Sequence, residues 1–179
     1  MSDRSLHVLH KIRKVASYQF GRGVGEMLFP NNIDVVFSER TGKVRHIYVD
    51  GKLLATLRPT DGLFSLTIEG AKRLIAVINP RQFWVQIQKE AVGFVGKGSD
   101  VFARHVLCVD DELRLGEEVV ILDENNKVVA VGRAMLSGEE MKDFKRGVAV
   151  KVRKGDIEKI KKHEGNDYKL NGRCRNCVG

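Results

Sequence analysis

The sequence predicts an α+β protein in which a small antiparallel sheet with helices comes first and a mostly β pseudo-barrel with short helices follows. Three observations support this fold class. Apolar residues recur at helical spacing near the start, short β-branched runs separated by turn residues extend to residue 66, and strand-like runs dominate after Phe83. With 179 residues, the chain has room for two small units.

The chain begins with a predicted amphipathic helix. Its apolar face is formed by Leu6, Leu9, Ile12, Val15 and Ala16. Gly21 ends this helix, and the glycines of residues 21–25 predict a flexible break after it. Tyr18 and Phe20 are expected to pack into the core, as is Trp84 at the seam between the two units.

An antiparallel meander should follow this helix. Its strands are predicted at residues 33–37, 44–49, 52–58 and 63–66. Asp50-Gly51 is a strong signal for a two-residue hairpin, and Thr67 can cap the next helix, which Asn79-Pro80 stops. We place the boundary near residues 79–81, so that the first unit covers residues 1–80.

The second unit, residues 81–155, combines strands with two short helices. The strands are predicted at residues 83–87, 100–109, 118–122, 127–135 and 148–153. One helix should span residues 89–95, and Ser137 with Glu140 forms a capping box for a second that runs to about Lys145. Residues 156–179 are a basic tail, predicted to be mobile.

The charge of the chain favours a polyanionic partner. Lys and Arg number 31 against 23 Asp and Glu, which gives a formal net charge of +8 and a pI near 9.5. Basic residues concentrate in residues 1–25 and 142–162, whereas seven acids and a single base lie between Asp110 and Glu124. This segregation predicts a basic face for nucleic acid. Because the sequence has no bilayer-length apolar run and no signal-peptide pattern, we expect a cytoplasmic protein without a membrane partner.

One segment combines glycines with cations and an aromatic side chain. Gly96-Lys-Gly-Ser99 precedes Phe102, Arg104 and His105, and Gly132-Arg-Ala134 adds a further glycine and cation. Glycines let a phosphate approach the backbone, backbone amides and cations can bind it, and Phe102 can stack on a base. The alternative is an ordinary glycine turn between a helix and a strand.

Both units resemble known families. Residues 83–155 are similar to the PUA domain, through Lys89-Glu-Ala-Val-Gly-Phe-Val-Gly-Lys-Gly98, Asp100-Val-Phe-Ala-Arg-His-Val106 and Val129-Ala-Val-Gly-Arg-Ala134. The first unit resembles the patch-forming domain that precedes this module in archaeal tRNA-guanine (archaeosine) transglycosylase, through Leu54-Ala-Thr-Leu-Arg-Pro59 and Asp61-Gly-Leu-Phe-Ser-Leu66. The combined resemblance extends from about Leu6 to Gly155.

The resemblance implies that the second unit grips the acceptor stem and 3′ end of tRNA. Carried onto this chain, the implied RNA contacts are Gly96, Lys97, Gly98, Ser99, Phe102, Arg104, His105, Gly132, Arg133, Ala134, Arg146 and Gly147. The family's reaction belongs to a barrel domain of about 250 residues, for which this chain has no room. We therefore expect a non-catalytic module that works with a separate catalytic subunit. The alternatives are a general binder of structured RNA in ribonucleoprotein assembly and a zinc- or redox-linked adaptor.

Two further clusters could carry chemistry. Cys174 and Cys177 have the spacing of half a zinc site or of a redox pair, and Cys108 and His163 are the remaining candidates for the missing ligands by residue type. A free dithiol is the alternative, and it predicts a protein without a cofactor. Consecutive residues of Asp110-Asp-Glu112 point to different sides of a strand or loop, so we expect solvated charge there instead of acid–base catalysis.

Overall fold

The computed structural model describes residues 3–78 and 82–157 and has the predicted α+β architecture. The first unit contains helices α1 (Asp3–Phe20), α2 (Val24–Leu28) and α3 (Ile68–Val77), and strands β1 (Ile33–Phe37), β2 (Val44–Val49), β3 (Lys52–Leu57) and β4 (Phe64–Leu66). These strands form an antiparallel sheet in the order β1-β2-β3-β4. Within the two described ranges, no helix is long and apolar enough to cross a membrane.

Local sequence signals account for the turns of the first unit. Asp50 and Gly51 have φ angles of 49° and 74°, which is the left-handed pair that a two-residue hairpin requires. They connect β2 to β3 where Val49 pairs with Lys52, as predicted. Thr67 caps α3, since its hydroxyl accepts a hydrogen bond from the Gly70 amide at 3.2 Å.

The second unit curls into the predicted pseudo-barrel. Its elements are β5 (Trp84–Ile87), α4 (Lys89–Gly96), β6 (Val101–Phe102), a 3₁₀ turn (Ala103–His105), β7 (Val106–Val109), β8 (Glu118–Leu122), β9 (Val128–Ala134), α5 (Gly138–Asp143) and β10 (Val148–Gly155). The sheet order is β6-β10-β9-β8-β5-β7, and only the β5–β8 pair is parallel. Because the two edge strands, β6 and β7, follow one another in the chain, the barrel is nearly closed. The capping box of Ser137 and Glu140 begins α5, as predicted.

The strand predicted over residues 100–109 is interrupted. The 3₁₀ turn Ala103–His105 separates β6 from β7 because the two halves pair with different neighbours, β10 and β5. The Ala103 amide donates to the Gly147 carbonyl at 3.0 Å, whereas the Gln88 amide donates to the His105 carbonyl at 3.0 Å. The turn therefore carries the chain from one edge of the barrel sheet to the other.

The predicted flexible break at residues 21–25 is instead a three-residue turn followed by α2. Gly25 explains why a helix forms there. Its amide donates to the Ser17 hydroxyl at 3.1 Å, and a Cβ at this position would overlap the carbonyl oxygen of Arg13. A glycine is thus required for α2 to pack directly on the backbone of α1.

The two units share one hydrophobic core. Alternate residues of β8 point to opposite sides, so that Val119 and Ile121 face the barrel interior while Val120 and Leu122 pack against the first unit. Val128 and Val131 of β9 join the same shared core. This double burial explains why the chain is apolar at every position from 119 to 122. The predicted boundary at residues 79–81 lies outside the described residues.

Aromatic side chains mark the seam. Phe20 is buried and meets Phe83 edge to face, with ring centroids 5.6 Å apart. Trp84 is half-buried against the shared core, in agreement with its predicted place. Tyr18 was expected in the core as well, but it is 83% exposed because its position on α1 faces away from the sheet.

An ion pair between a buried glutamate and a partly exposed arginine bridges the units. The Glu118 side chain is 1% exposed, and it accepts hydrogen bonds from the Leu66 amide at 2.8 Å and from Arg153 Nη1 at 2.9 Å. Arg153 Nη2 contacts Glu118 Oε1 and also donates to the Leu66 carbonyl at 2.6 Å. No buried side-chain nitrogen or oxygen of this cluster lacks a hydrogen-bond partner, as burial in a protein core requires.

Candidate nucleic-acid interface

An open groove of about 440 Å³ lies between α4 and the segment from Ser99 to His105. We call it the α4–β6 groove. Its apolar base includes the buried residues Ala91, Val95 and Val101. Two aromatic side chains, Phe94 and Phe102, lie on it with 69% and 46% exposure. The remaining lining residues are polar: Glu90, Ser99, Asp100, Arg104 and His105.

Arg104 is held in place from two sides. Its guanidinium carbon lies 5.9 Å from the centroid of the Phe102 ring, and its Nε donates a hydrogen bond to His105 Nε2 at 3.1 Å. Because arginine is always protonated, His105 Nε2 must be the acceptor, and the ring hydrogen is on Nδ1, 3.2 Å from Gln88 Oε1. The arrangement presents the Arg104 guanidinium to solvent beside an exposed aromatic face.

The loop before β10 borders the same groove. Val148 pairs with Phe102, and the Gly147 carbonyl accepts from the Ala103 amide at 3.0 Å. Gly147 is exposed with φ of 96°, and no heavy atom lies within 4 Å of where its Cβ would be. Arg146 is exposed beside it. A phosphate can therefore approach the backbone at Gly147 and meet a cation there.

The loop of residues 97–99 does not offer its amides to a ligand. The Lys97 and Ser99 amides donate to the Phe94 carbonyl, each at 3.1 Å, and the Gly98 amide donates to the Val95 carbonyl at 2.9 Å. Gly98, with φ of 94°, thus follows the C-cap residue Lys97 in the left-handed conformation that commonly ends a helix. The three amides predicted to bind phosphate therefore have partners within the chain, and this loop exposes the side chains of Lys97 and Ser99.

Three predicted contact residues are buried. Gly132 faces β10, where a Cβ would overlap the Lys151 carbonyl, and Ala134 is fully buried in β9. Gly96 packs against Ile157 and lies against Gly155 of β10, where a Cβ on Gly155 would overlap the Gly96 carbonyl. These residues were predicted to contact RNA; they serve close packing within the barrel instead.

Arg133 is exposed but belongs to a different cluster. Its Nε donates to the Gly116 carbonyl at 2.7 Å, and its Nη2 lies 3.8 Å from Asp61 Oδ2 in the first unit. Arg58 Nη2 lies 2.9 Å from the same carboxylate. Although burial acts to raise the pKa of Asp61, the hydrogen bond from the Leu63 amide and the charges of Arg58 and Arg133 hold this pKa below its usual value. The structure therefore separates Arg133 from the groove residues.

Of the polar and aromatic groove residues, three were not among the predicted contacts. Glu90 and Phe94 stand four positions apart on the exposed face of α4, a spacing that places both on one side of a helix. Glu90 Oε1 is 3.8 Å from His105 Nδ1. Asp100 also lines the groove, while its Oδ1 accepts from the Val152 amide at 2.8 Å. The available sequence signal was the spacing of four between Glu90 and Phe94 in the helix predicted over residues 89–95.

The remaining candidate clusters have no catalytic geometry in the described part of the chain. Asp110 accepts hydrogen bonds from the amides of Phe83 and Glu112, and Asp111 forms an ion pair with Lys142. Residues 3–78 and 82–157 contain no group of three side chains that could bind a metal. Cys174 and Cys177 lie outside the described residues.

Comparison with known families finds two matches. Residues 10–81 match the patch-forming domain C2 of tRNA-guanine transglycosylase, and residues 83–155 match the PUA domain. The tRNA-guanine(15) transglycosylase of Methanothermobacter thermautotrophicus is 42% identical over 147 residues, and that of Pyrococcus furiosus is 44% identical over 148 residues. These alignments cover 82% and 83% of this chain but only 22% and 25% of the two relatives.

Solved structures show the same fold over both units. A protein from Pyrococcus horikoshii superposes with a TM-score of 0.69 at 24% identity, over 89% of this chain and 95% of that one. A PUA domain protein from Thermoplasma acidophilum superposes with a TM-score of 0.62 at 18% identity, over 88% and 93%. The chain thus combines a patch-forming C2 domain with a PUA domain, and it resembles the C-terminal part of archaeal tRNA-guanine transglycosylase, from the patch-forming domain to the PUA domain.

Proposed function

We propose that this protein is a non-catalytic RNA-binding module that holds tRNA by its acceptor stem and single-stranded 3′ end for a separate modifying enzyme. The observation that carries the proposal is the α4–β6 groove of the PUA domain, where Arg104 lies over the exposed ring of Phe102. The transglycosylase relatives support tRNA as the RNA.

The chemistry of the groove suits an unpaired nucleotide. Exposed aromatic rings at Phe94 and Phe102 provide faces on which a base can stack. Carboxylates at Glu90 and Asp100 can accept hydrogen bonds from base amino groups but would repel a phosphate. The bases of a single strand would therefore enter the groove, while its phosphates would lie along the rim.

The rim supplies the matching positive charge. Lys97 is exposed at the end of α4, and Arg146 is exposed in the loop that borders Phe102. Contacts of this kind fix the register of a strand and make its affinity depend on salt. A single-stranded 3′ end that leaves a helical stem meets both requirements, since its bases are free and its phosphates are continuous with the stem.

The carboxylates of the described chain support a non-catalytic role. Asp110 and Asp111 are engaged in turn hydrogen bonds and in the ion pair with Lys142, and Glu118 is buried in the bridge between the units. Glu90 is exposed on the groove, and the other groove carboxylate, Asp100, is engaged by the Val152 amide at 2.8 Å. We therefore assign the chemical step to another protein.

The experiment is a binding titration with tRNA and with the same tRNA lacking its single-stranded 3′ nucleotides. We expect trimming to weaken binding at least tenfold at moderate salt, as stacking of a base contributes about 1–3 kcal/mol. A general binder of structured RNA would bind both forms equally. Equal affinity for the two tRNAs would overturn acceptor-end recognition and favour this second function.

The cysteine pair at Cys174 and Cys177 stays a separate prediction. A free dithiol predicts that purified protein contains less than stoichiometric zinc and that a Cys174→Ser, Cys177→Ser variant binds tRNA as the wild type does. Elemental analysis of freshly purified protein measures the first quantity. One zinc per chain or per two chains, together with loss of RNA binding in the variant, would support the zinc-linked adaptor.

A further inference from the structure

Helix α1 carries a second positively charged surface that is separate from the α4–β6 groove. Positions 7, 11, 14 and 18 share one helical face, where His7, Lys11, Lys14 and Tyr18 are all exposed, and Arg22 is exposed in the turn that follows. We call these five residues the α1 ridge. The opposite face of α1, which includes Leu9, Ile12 and Ala16, is buried in the shared core.

The cations of the ridge are not neutralised by the fold. Residues 4–25 contain no Asp or Glu. Among the described residues, neither Lys11 nor Lys14 has a hydrogen bond or ion pair with another side chain. Arg13 shows the contrast, because its Nε donates to the Phe29 carbonyl at 2.8 Å and its Nη2 to Asn31 Oδ1 at 2.9 Å. Arg13 thus supports the fold, while the ridge charges face solvent.

Tyr18 adds a contact of another kind. It is 83% exposed although its neighbour Phe20 is buried, so the helix presents a large ring to water within one turn of Lys14. An aromatic side chain beside cations can pack against a ribose or a base edge while the cations contact phosphates. The ridge from His7 to Tyr18 spans about 16 Å along the helix axis, which is long enough for several phosphates of one strand.

The position of the ridge favours an RNA stem as its ligand. The ridge consists of side chains that project from a helix, and of its five residues only His7 lines the open pocket of about 410 Å³ at the start of α1. A helix of this shape suits the phosphates of a regular duplex, which are recognised by shape and charge. The carboxyl end of α1 also adjoins the barrel, where Phe20 meets Phe83.

We propose that the α1 ridge binds the phosphate backbone of a double-stranded segment of the RNA whose single-stranded end occupies the α4–β6 groove. This inference rests on the proposed function, because it assigns the second contact to the same RNA molecule. The two surfaces together would make the protein select a stem that carries a single-stranded 3′ end.

The test compares two variants with equal change in charge. In Lys11→Gln, Lys14→Gln the ridge loses two cations; in the control, Lys43→Gln, Lys127→Gln, two other exposed lysines are replaced. The probe is an RNA hairpin with a single-stranded 3′ end, titrated at several salt concentrations. All four positions are exposed, so thermal unfolding should match the wild type in both variants.

We expect the ridge variant to bind about tenfold more weakly than the control and to lower the slope of log K against log salt by about two, one for each lost phosphate contact. Equal affinity and equal slope for the two variants would overturn the proposal that the α1 ridge binds RNA. Failure of the wild type to bind the hairpin at all would instead overturn the proposed function, so the two failures are distinguishable.

Discussion

Arg153 of β10 reaches across the barrel wall to Glu118 of β8, and together the two side chains hold the backbone of Leu66 in the other unit. The carboxylate is almost completely buried, whereas the arginine keeps 38% exposure. This pair is a hydrogen-bonded bridge between two units whose apolar surfaces already form one core. It positions the barrel relative to the sheet of the first unit.

Replacement of Arg153 should lower the stability of the protein. In Arg153→Met, the Glu118 carboxylate stays buried with only the Leu66 amide as a partner, so we expect the free energy of unfolding to fall by about 3 kcal/mol. Urea denaturation measures this change. Lys154→Met is the matched control, because Lys154 is exposed, and it should change stability by less than about 0.5 kcal/mol. A similar, small effect of both substitutions would contradict the role of the bridge.

Substitutions in the α4–β6 groove and in the Arg133 cluster should have different effects on tRNA affinity. Arg104→Ala removes the guanidinium that lies over Phe102, so we expect tRNA affinity to fall about tenfold with little change in melting temperature. Arg133→Ala should have a smaller effect on binding, because Arg133 contacts Gly116 and Asp61 away from the groove. Electrophoretic or fluorescence titrations measure both. Equal losses of affinity would return Arg133 to the binding surface.

The Asp61 cluster predicts an acid dependence of stability. The pKa of Asp61 is held below its usual value, so its ion pairs stabilise the fold above the unfolded-state pKa and are lost as pH falls through the folded-state pKa. Asp61→Asn should therefore lower the free energy of unfolding by about 1 kcal/mol at neutral pH, and this difference should vanish as pH falls below the folded-state pKa. Denaturant unfolding of both proteins between neutral and acidic pH tests this. A difference that persists at low pH would assign the effect to packing.

Replacement of two helical glycines by alanine should change stability in opposite directions. In Gly25→Ala the new methyl group overlaps the Arg13 carbonyl, and we expect α2 to separate from α1 at a cost of about 2–3 kcal/mol. In Gly93→Ala, within α4, no atom lies within 4 Å of the new methyl group. Because alanine has a higher helix propensity than glycine, we expect the free energy of unfolding to rise by about 0.5–1 kcal/mol. Thermal unfolding compares them directly. If Gly93→Ala destabilised the protein as Gly25→Ala does, α4 would need glycine at position 93 for a reason other than the space around its Cβ.

Features that depend on neighbouring residues in sequence were predictable. The Asp50-Gly51 hairpin, the Thr67 cap and the Ser137 capping box each rest on side chains that act within four residues, and all three form as expected. The two strand runs of β8 and β9 were also recognisable, because burial on both faces makes residues 119–122 and 128–131 apolar.

Features that depend on residues distant in the sequence were not predictable. The identity of a glycine does not tell whether it faces a ligand or another strand, and Gly132 lies against Lys151 of β10. The amides of residues 97–99 close the end of α4, which only the position of that helix end reveals. Likewise, Tyr18 and Phe20 are similar residues two positions apart, and the direction of the sheet decides which one is buried.

The surface of β8 and β9 that packs on the first unit, which we call the wall, limits how the barrel could be transferred to another protein. Val120, Leu122, Val128 and Val131 serve a core that neither unit completes alone. A barrel excised from this chain would present four aliphatic side chains to water and would tend to self-associate. Exchange of the barrel into an unrelated protein would thus require a new apolar partner for that wall.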